Sequence, residues 1–141
     1  MYRVVATLKL DHLAIQAKIE RAIANSPKVK SLAYKKAYGI FENAKRAMLN
    51  QFDRSLITQE IESGPKAANI SGTLDGYGNL FSFIGFYESD NPIEKLRNLL
   101  NEGTTFKPTI YRKGAWYFRV TLPDKGSINA VTDMPWEHGN S

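Results

Sequence analysis

The chain has 141 residues, 43% of them hydrophobic and 23% charged, with 19 Lys and Arg against 14 Asp and Glu for a net charge of +5. That length fits one domain with a substantial core, and the composition is globular rather than disordered. The absence of cysteine excludes disulfides, thiolate metal sites and thiol nucleophiles, and no apolar run approaches the ~20 residues of a membrane span.

Residues 2–10 predict a strand, because Val4, Ala6, Leu8 and Leu10 share one face at period two. Lys9, Asp11 and His12 interrupt the apolar character there, so a secretion signal is not expected and synthesis inside a cell is. Asp11 is placed to cap a helix over 12–25, with Ile15, Ile19, Ala22 and Ile23 as its apolar stripe. Ser26 and Pro27 then suit the cap and first position of a second helix.

The second helix carries the strongest periodicity. Val29, Leu32, Ala33, Ala37, Ile40, Phe41, Ala44, Met48, Leu49, Phe52 and Leu56 step by three and four as one continuous apolar face. Lys28, Lys30, Lys35, Lys36, Lys45, Arg46 and Arg54 are assigned to the other face, against Glu42 and Asp53. The basic character of the chain is concentrated on this element. Gly39 interrupts it at a cost of about 1 kcal/mol relative to Ala, and close helix packing is the expected reason, with a kink as the alternative. Residues 57–62 fit either a continuation of the helix or the start of a strand.

Ser63-Gly64-Pro65 breaks the chain, and 66–78 reads as a glycine-rich loop or loosely paired hairpin suited to partner contact. Residues 79–87 hold Leu80, Phe81, Phe83, Ile84 and Phe86, apolar on both faces, and predict a central strand covered on each side. Asn91, Pro92 and Glu94 open a third helix with Ile93, Leu96, Leu99 and Leu100 inward and Gly103 at its end. Residues 106–122 read as two strands around Arg112-Lys113-Gly114, with Ile110, Trp116, Phe118 and Val120 inward. The remainder, 123–141, reads as an extended C-terminal segment of the same single domain, 1–141. The fold class is therefore α+β: a long amphipathic helix on a small, mainly antiparallel sheet, with a second N-terminal helix and a short third one.

No catalytic constellation emerges. His12 and His138 are the two histidines, and neither has a nucleophile or ligand cluster beside it in sequence. Glu60 and Glu62 read as solvated turn charges rather than paired catalytic carboxylates. Gly76-Tyr77-Gly78-Asn79 lacks the phosphate-loop pattern and precedes a predicted strand, so its glycines read as turn residues. The aromatics Tyr111, Trp116, Tyr117 and Phe118 suit a sheet core better than a stacking platform for single strands. No cofactor, metal or enzymatic activity is expected.

Three stretches together resemble the tail-completion, or head–tail joining, proteins of the neck of long-tailed bacteriophages. They are AYGIFENAKRAMLNQF in the long helix, TQEIESGPKAANISGTLDGYGNLFSFIGF, and the terminal TDMPWEHGNS. The resemblance runs from about Lys30 to Ser141. It implies a non-enzymatic virion protein, made in the host cytoplasm, that forms a homo-oligomeric ring, commonly sixfold. Such a ring joins the capsid connector or stopper to the tail tube or tail terminator and surrounds passing DNA without sequence specificity. In similar proteins the glycine-rich loop and the termini contact neighbouring subunits, which makes Asn69, Ser71, Leu74, Tyr77 and Trp136 the candidate inter-subunit residues. The tryptophan motif tends to continue further in that family, so a longer C-terminus is the expectation. Lys35, Lys36, Lys45 and Arg46 are the candidates for facing a DNA channel or an acidic partner. The alternative is a small basic nucleic-acid-binding protein that follows phosphates with the 28–54 helix.

Overall fold

The computed structural model describes residues 9–76, 78–128 and 130, and of Thr109 the backbone alone. The strand expected over 2–10 lies, up to residue 8, outside the described residues, as do Tyr77, Trp136 and His138. In chain order the elements are α1 (His12–Asn25), α2 (Pro27–Arg54), α3 (Leu56–Glu62), α4 (Leu80–Ile84), α5 (Pro92–Gly103), β1 (Thr105–Arg112) and β2 (Ala115–Thr121). The architecture is α+β: a long helix beside a small antiparallel sheet, with shorter helices at its far end.

The helix starts follow from local chemistry. The Asp11 carboxylate accepts the Leu13 and Ala14 N–H groups at 3.1 Å each and starts α1. The Ser26 hydroxyl accepts the Val29 N–H at 3.4 Å, with Pro27 at the first position of α2. These side chains satisfy donors that the first turn of a helix leaves open. Helix α2 has 28 residues, about 42 Å of length, yet Phe41 is its one buried residue. It ends at Ser55, which is extended with ψ of 130°, so the expected continuous face is broken before Leu56. Residues 57–62 resolve as the separate helix α3. Their apolar pattern continues from α2, but their direction does not.

Arg97 of α5 holds this bend. It donates from Nε to Asp53 near the end of α2 at 2.7 Å and from an Nη to Glu62 at the end of α3 at 3.2 Å. Both carboxylates favour the charged guanidinium, Asp53 most strongly, and hold its pKa above the ordinary value. The main core lies beside this tie, where Ile61, Leu80, Phe81 and Ile93 are buried and Phe52, Leu74, Ile84 and Phe86 pack around them. Each of the four buried side chains contributes about 1.5–3 kcal/mol by leaving water, and the partly buried ones less.

The expected central strand over 79–87 is corrected to a helix. Asn79 caps α4, its side-chain oxygen accepting the Ser82 N–H at 3.0 Å. Gly85 ends α4 in the left-handed region with φ of 92°, and the Phe86 N–H reaches back to the Phe81 carbonyl at 3.2 Å. This pattern closes a helix on a residue without Cβ. Five helical residues turn Leu80 and Phe81 inward and leave Phe83 73% exposed, so the run is not covered on both sides.

Helix α5 starts at Pro92 as expected, although the Asn91 amide donates to the Glu94 carboxylate rather than capping the backbone. Gly103 is its last residue, for a reason of space. A Cβ there would lie 2.6 Å from Pro123 Cγ. The hairpin pairs Thr105 with Thr121 and Arg112 with Ala115, and its register shifts between Pro108 and Ile110. Lys113 and Gly114, with φ of 49° and 77°, make the two-residue turn. Phe106 and Phe118 face α2, whereas Ile110 and Val120, expected inward, are exposed. The C-terminal segment is not wholly extended, since residues 125–128 form a helical turn in which the Asp124 carboxylate accepts from Ser127.

Candidate functional site

The loop from Asn69 to Asn79 is organised by a residue that the sequence places elsewhere. Glu60 is fully buried. Its two carboxylate oxygens accept the Leu80 N–H at 2.7 Å and the Ser71 N–H at 2.8 Å. Burial pushes the Glu60 pKa up, but the Ser71 hydroxyl and the two backbone donors together outweigh it and hold the carboxyl below its ordinary range. One carboxylate thus fixes both ends of the loop. Its oxygens face backbone donors, so it serves as a structural acceptor. The reading of Glu60 as a solvated charge is corrected; Glu62, its sequence neighbour, pairs with Arg97 instead. The signal available in sequence is position, because Glu60 lies beside Ile61 and near Thr58, the buried side of α3.

The other loop residues add to this tie. Asn79 is buried and donates to the Pro65 and Ala67 carbonyls at 2.8 and 3.0 Å. Asn69 donates to the Leu74 carbonyl, and the Ser71 hydroxyl pairs with that of Thr73 at 2.8 Å. Leu74 packs on the core. Of the candidate inter-subunit residues, Asn69, Ser71 and Leu74 therefore make contacts within the chain, and Tyr77 and Trp136 lie outside the described residues. Among the described loop residues, Ile70, Thr73 and Asp75 have exposed side chains.

The four basic candidates do not form one face. Lys45 is half-buried, donates to the Thr104 carbonyl at 3.1 Å and lies 5.9 Å from the Phe41 ring centroid. Thr104 caps the C-terminus of α5, where a cation is favoured by the helix dipole. Lys45 follows Phe41 by four residues, which places it on the packed side of α2. Lys35 and Lys36 are exposed. They border a shallow groove of about 440 Å³ together with Leu32, Gly39, Ile40 and Asn43. Arg46 lies apart from them, beside Glu42, Leu49 and Asn101.

Apart from its two chain neighbours and the backbone of its own helix, nothing lies within 4 Å of where a Cβ of Gly39 would stand, so close packing against another element of the chain does not account for it. Beside the same helix, Tyr34, Tyr38 and Phe41 meet Phe106, which stacks on Phe118 at 5.3 Å. The aromatic residues of the hairpin serve in part as this contact, while Tyr117 remains half-exposed. A second groove of about 320 Å³ runs along this seam, with Ile40, Met48, Val120 and Leu122 on its walls.

Among the described residues no group of three or more His, Asp or Glu side chains is placed to hold a metal ion, and no helix is long and apolar enough to cross a membrane. No protein-family model, curated protein or solved structure matches the chain.

Proposed function

We propose that this chain is a structural virion protein of the neck of a long-tailed bacteriophage. In this reading it is a subunit of a homo-oligomeric ring, sixfold by preference, that joins the capsid connector to the tail and surrounds the DNA channel. It performs no catalysis. It is made in the host cytoplasm and resides in the particle, next to connector or stopper proteins on one side and tail-tube or terminator proteins on the other. The resemblance of its helix, loop and terminal motifs to tail-completion proteins supplies the role.

The observation that carries an assembling protein is the distribution of apolar side chains. Phe41, Ile61, Leu80, Phe81 and Ile93 are buried, whereas Leu13, Leu32, Ile40, Phe83 and Leu122 are each at least 60% exposed. Leu32 and Ile40 border one groove and Ile40 and Leu122 another, so part of this apolar surface is shared rather than scattered, and subunits of a ring would cover it against one another. Mass measurement of the purified protein, with its detection in assembled particles, tests the reading. A strict monomer that never enters particles or binds neck proteins would sink it.

The alternative, nucleic-acid binding through α2, draws on the exposed Lys35 and Lys36. It requires DNA or RNA affinity that falls with salt and whose salt slope shrinks when Lys35 and Lys36 are neutralised. No measurable binding at low salt removes it.

A further inference from the structure

Two surfaces of this chain are complementary to each other. On α2, residues 28–36 contain Lys28, Lys30, Lys35 and Lys36 and no acidic residue. The groove there is bordered by Lys35 and Lys36 and flanked by Leu32 and Ile40, which are 60% and 62% exposed. Gly39 leaves its floor open, since apart from its two chain neighbours and the backbone of its own helix nothing lies within 4 Å of a Cβ position. After α4, residues 83–94 contain Glu88, Asp90 and Glu94 and no basic residue. This corner presents Phe83 at 73% exposure, five residues before the exposed Glu88. One surface is apolar and positive; the other is apolar and negative.

We infer that the α2 groove at Gly39 receives the Phe83–Glu88 corner of a second copy of this chain. The occupant is another copy because the chain itself carries the matching patch, opposite in charge and equally apolar. Phe83 lies over Gly39, where the missing Cβ permits close approach, and Glu88 meets Lys35 and Lys36. An aromatic side chain buried in this way removes about 150–250 Å² from water, while the charges fix orientation and reject like pairings. The two patches differ, so the contact is heterologous. Repeated from copy to copy it closes a ring or extends as a filament. This deepens the ring reading and rests on it.

The test uses two full-length variants. The first carries Lys35→Glu and Lys36→Glu; the second carries Glu88→Lys. All three positions are exposed, so circular dichroism and melting temperature are expected to match wild type. Sedimentation at low salt should show each variant alone associating about ten-fold or more weakly than wild type. An equimolar mixture should associate more tightly than either variant alone, because the changed position 88 of one then faces the changed positions 35 and 36 of the other, and the unchanged Glu88 faces the unchanged lysines. Undiminished association of either variant, or a mixture no better than its components, overturns the assignment. So does a K35E/K36E variant that loses affinity for DNA while assembling normally. A wild-type protein that stays monomeric at every concentration also overturns it. Incorporation of that same protein into particles would then leave the neck reading standing, which separates the two failures.

Discussion

Leu80 donates its backbone N–H to the buried Glu60 carboxylate at 2.7 Å across 20 residues of chain. This contact holds the first turn of α4 against α3. It supplies an acceptor to a helical N–H that has no carbonyl partner, and it places a negative charge at the start of the helix. Through Ser71 the same side chain anchors the other end of the loop, so the loop and α4 are positioned as one unit.

Replacing Glu60 by Gln should therefore destabilise the fold well beyond a surface change. One amide oxygen can still accept, but the amide nitrogen would face a backbone donor. A fall in melting temperature on the order of 10 °C is expected by calorimetry. The pH dependence has a definite sign. The folded-state pKa of Glu60 lies below its ordinary value of 4.5, so folding favours the carboxylate. Its contribution is complete above about 4.5 and is lost as pH falls through the lowered folded value. Wild-type stability should drop across that acid range, and the Gln variant should show a flatter profile. Equal acid sensitivity in the two would remove Glu60 as the tie.

Asn79→Ala should also weaken the fold, by about 1–3 kcal/mol in chemical denaturation. The change removes the cap on Ser82 and leaves the Pro65 and Ala67 carbonyls without their donor. A loss below about 0.5 kcal/mol would mean that water replaces these bonds at no cost.

Much of this architecture was legible in the sequence wherever a side chain marks a boundary. Asp11, Ser26-Pro27, Asn91-Pro92 and Lys113-Gly114 each announce a start or a turn by their own chemistry, and those elements lie where expected. The run from Leu80 to Phe86 was not legible in the same way. A short run of apolar residues has no resolvable period, and length favours a strand. The deciding features are Asn79 and Gly85, a cap and a left-handed stop six residues apart, together with a carboxylate 20 residues upstream that local pattern cannot reveal. Lys45 was readable, since Phe41 lies four residues before it. The bend at Ser55 was hidden because Leu56 continues the three-and-four spacing after the backbone has turned.

Phe81 and Phe83 separate core from surface within one short helix. Phe81 is 3% exposed and Phe83 is 73% exposed. Phe81→Ala should cost about 3–5 kcal/mol through transfer and cavity terms. Phe83→Asp should leave the monomer folded, with an unfolding midpoint in urea close to wild type. A collapse of the Asp variant comparable to that of Phe81→Ala would show that Phe83 belongs to the core.

The Arg97 pair contributes less than its geometry suggests. Its side chain is 31% exposed, and those of Asp53 and Glu62 are 44% and 50% exposed, so solvent and salt screen both bonds. Arg97→Met should destabilise by about 0.5–1 kcal/mol at low salt, and by less at 1 M salt. A salt-independent loss would instead point to packing of the arginine stem between the helices.

Gly39→Ala brings stability and assembly into opposition. A glycine within an exposed helix costs about 1 kcal/mol relative to alanine, and no atom of the chain obstructs the added methyl. The monomer should therefore become more stable by about 0.5–1 kcal/mol. If another subunit approaches the helix at this point, the methyl stands where that subunit packs, and association should weaken even as the melting temperature of the monomer rises. Larger residues should sharpen the contrast, with Gly39→Leu keeping a stable helix while abolishing association. A Gly39→Ala protein that is both more stable and equally associated would show that the open backbone serves no contact, and that this glycine is simply tolerated.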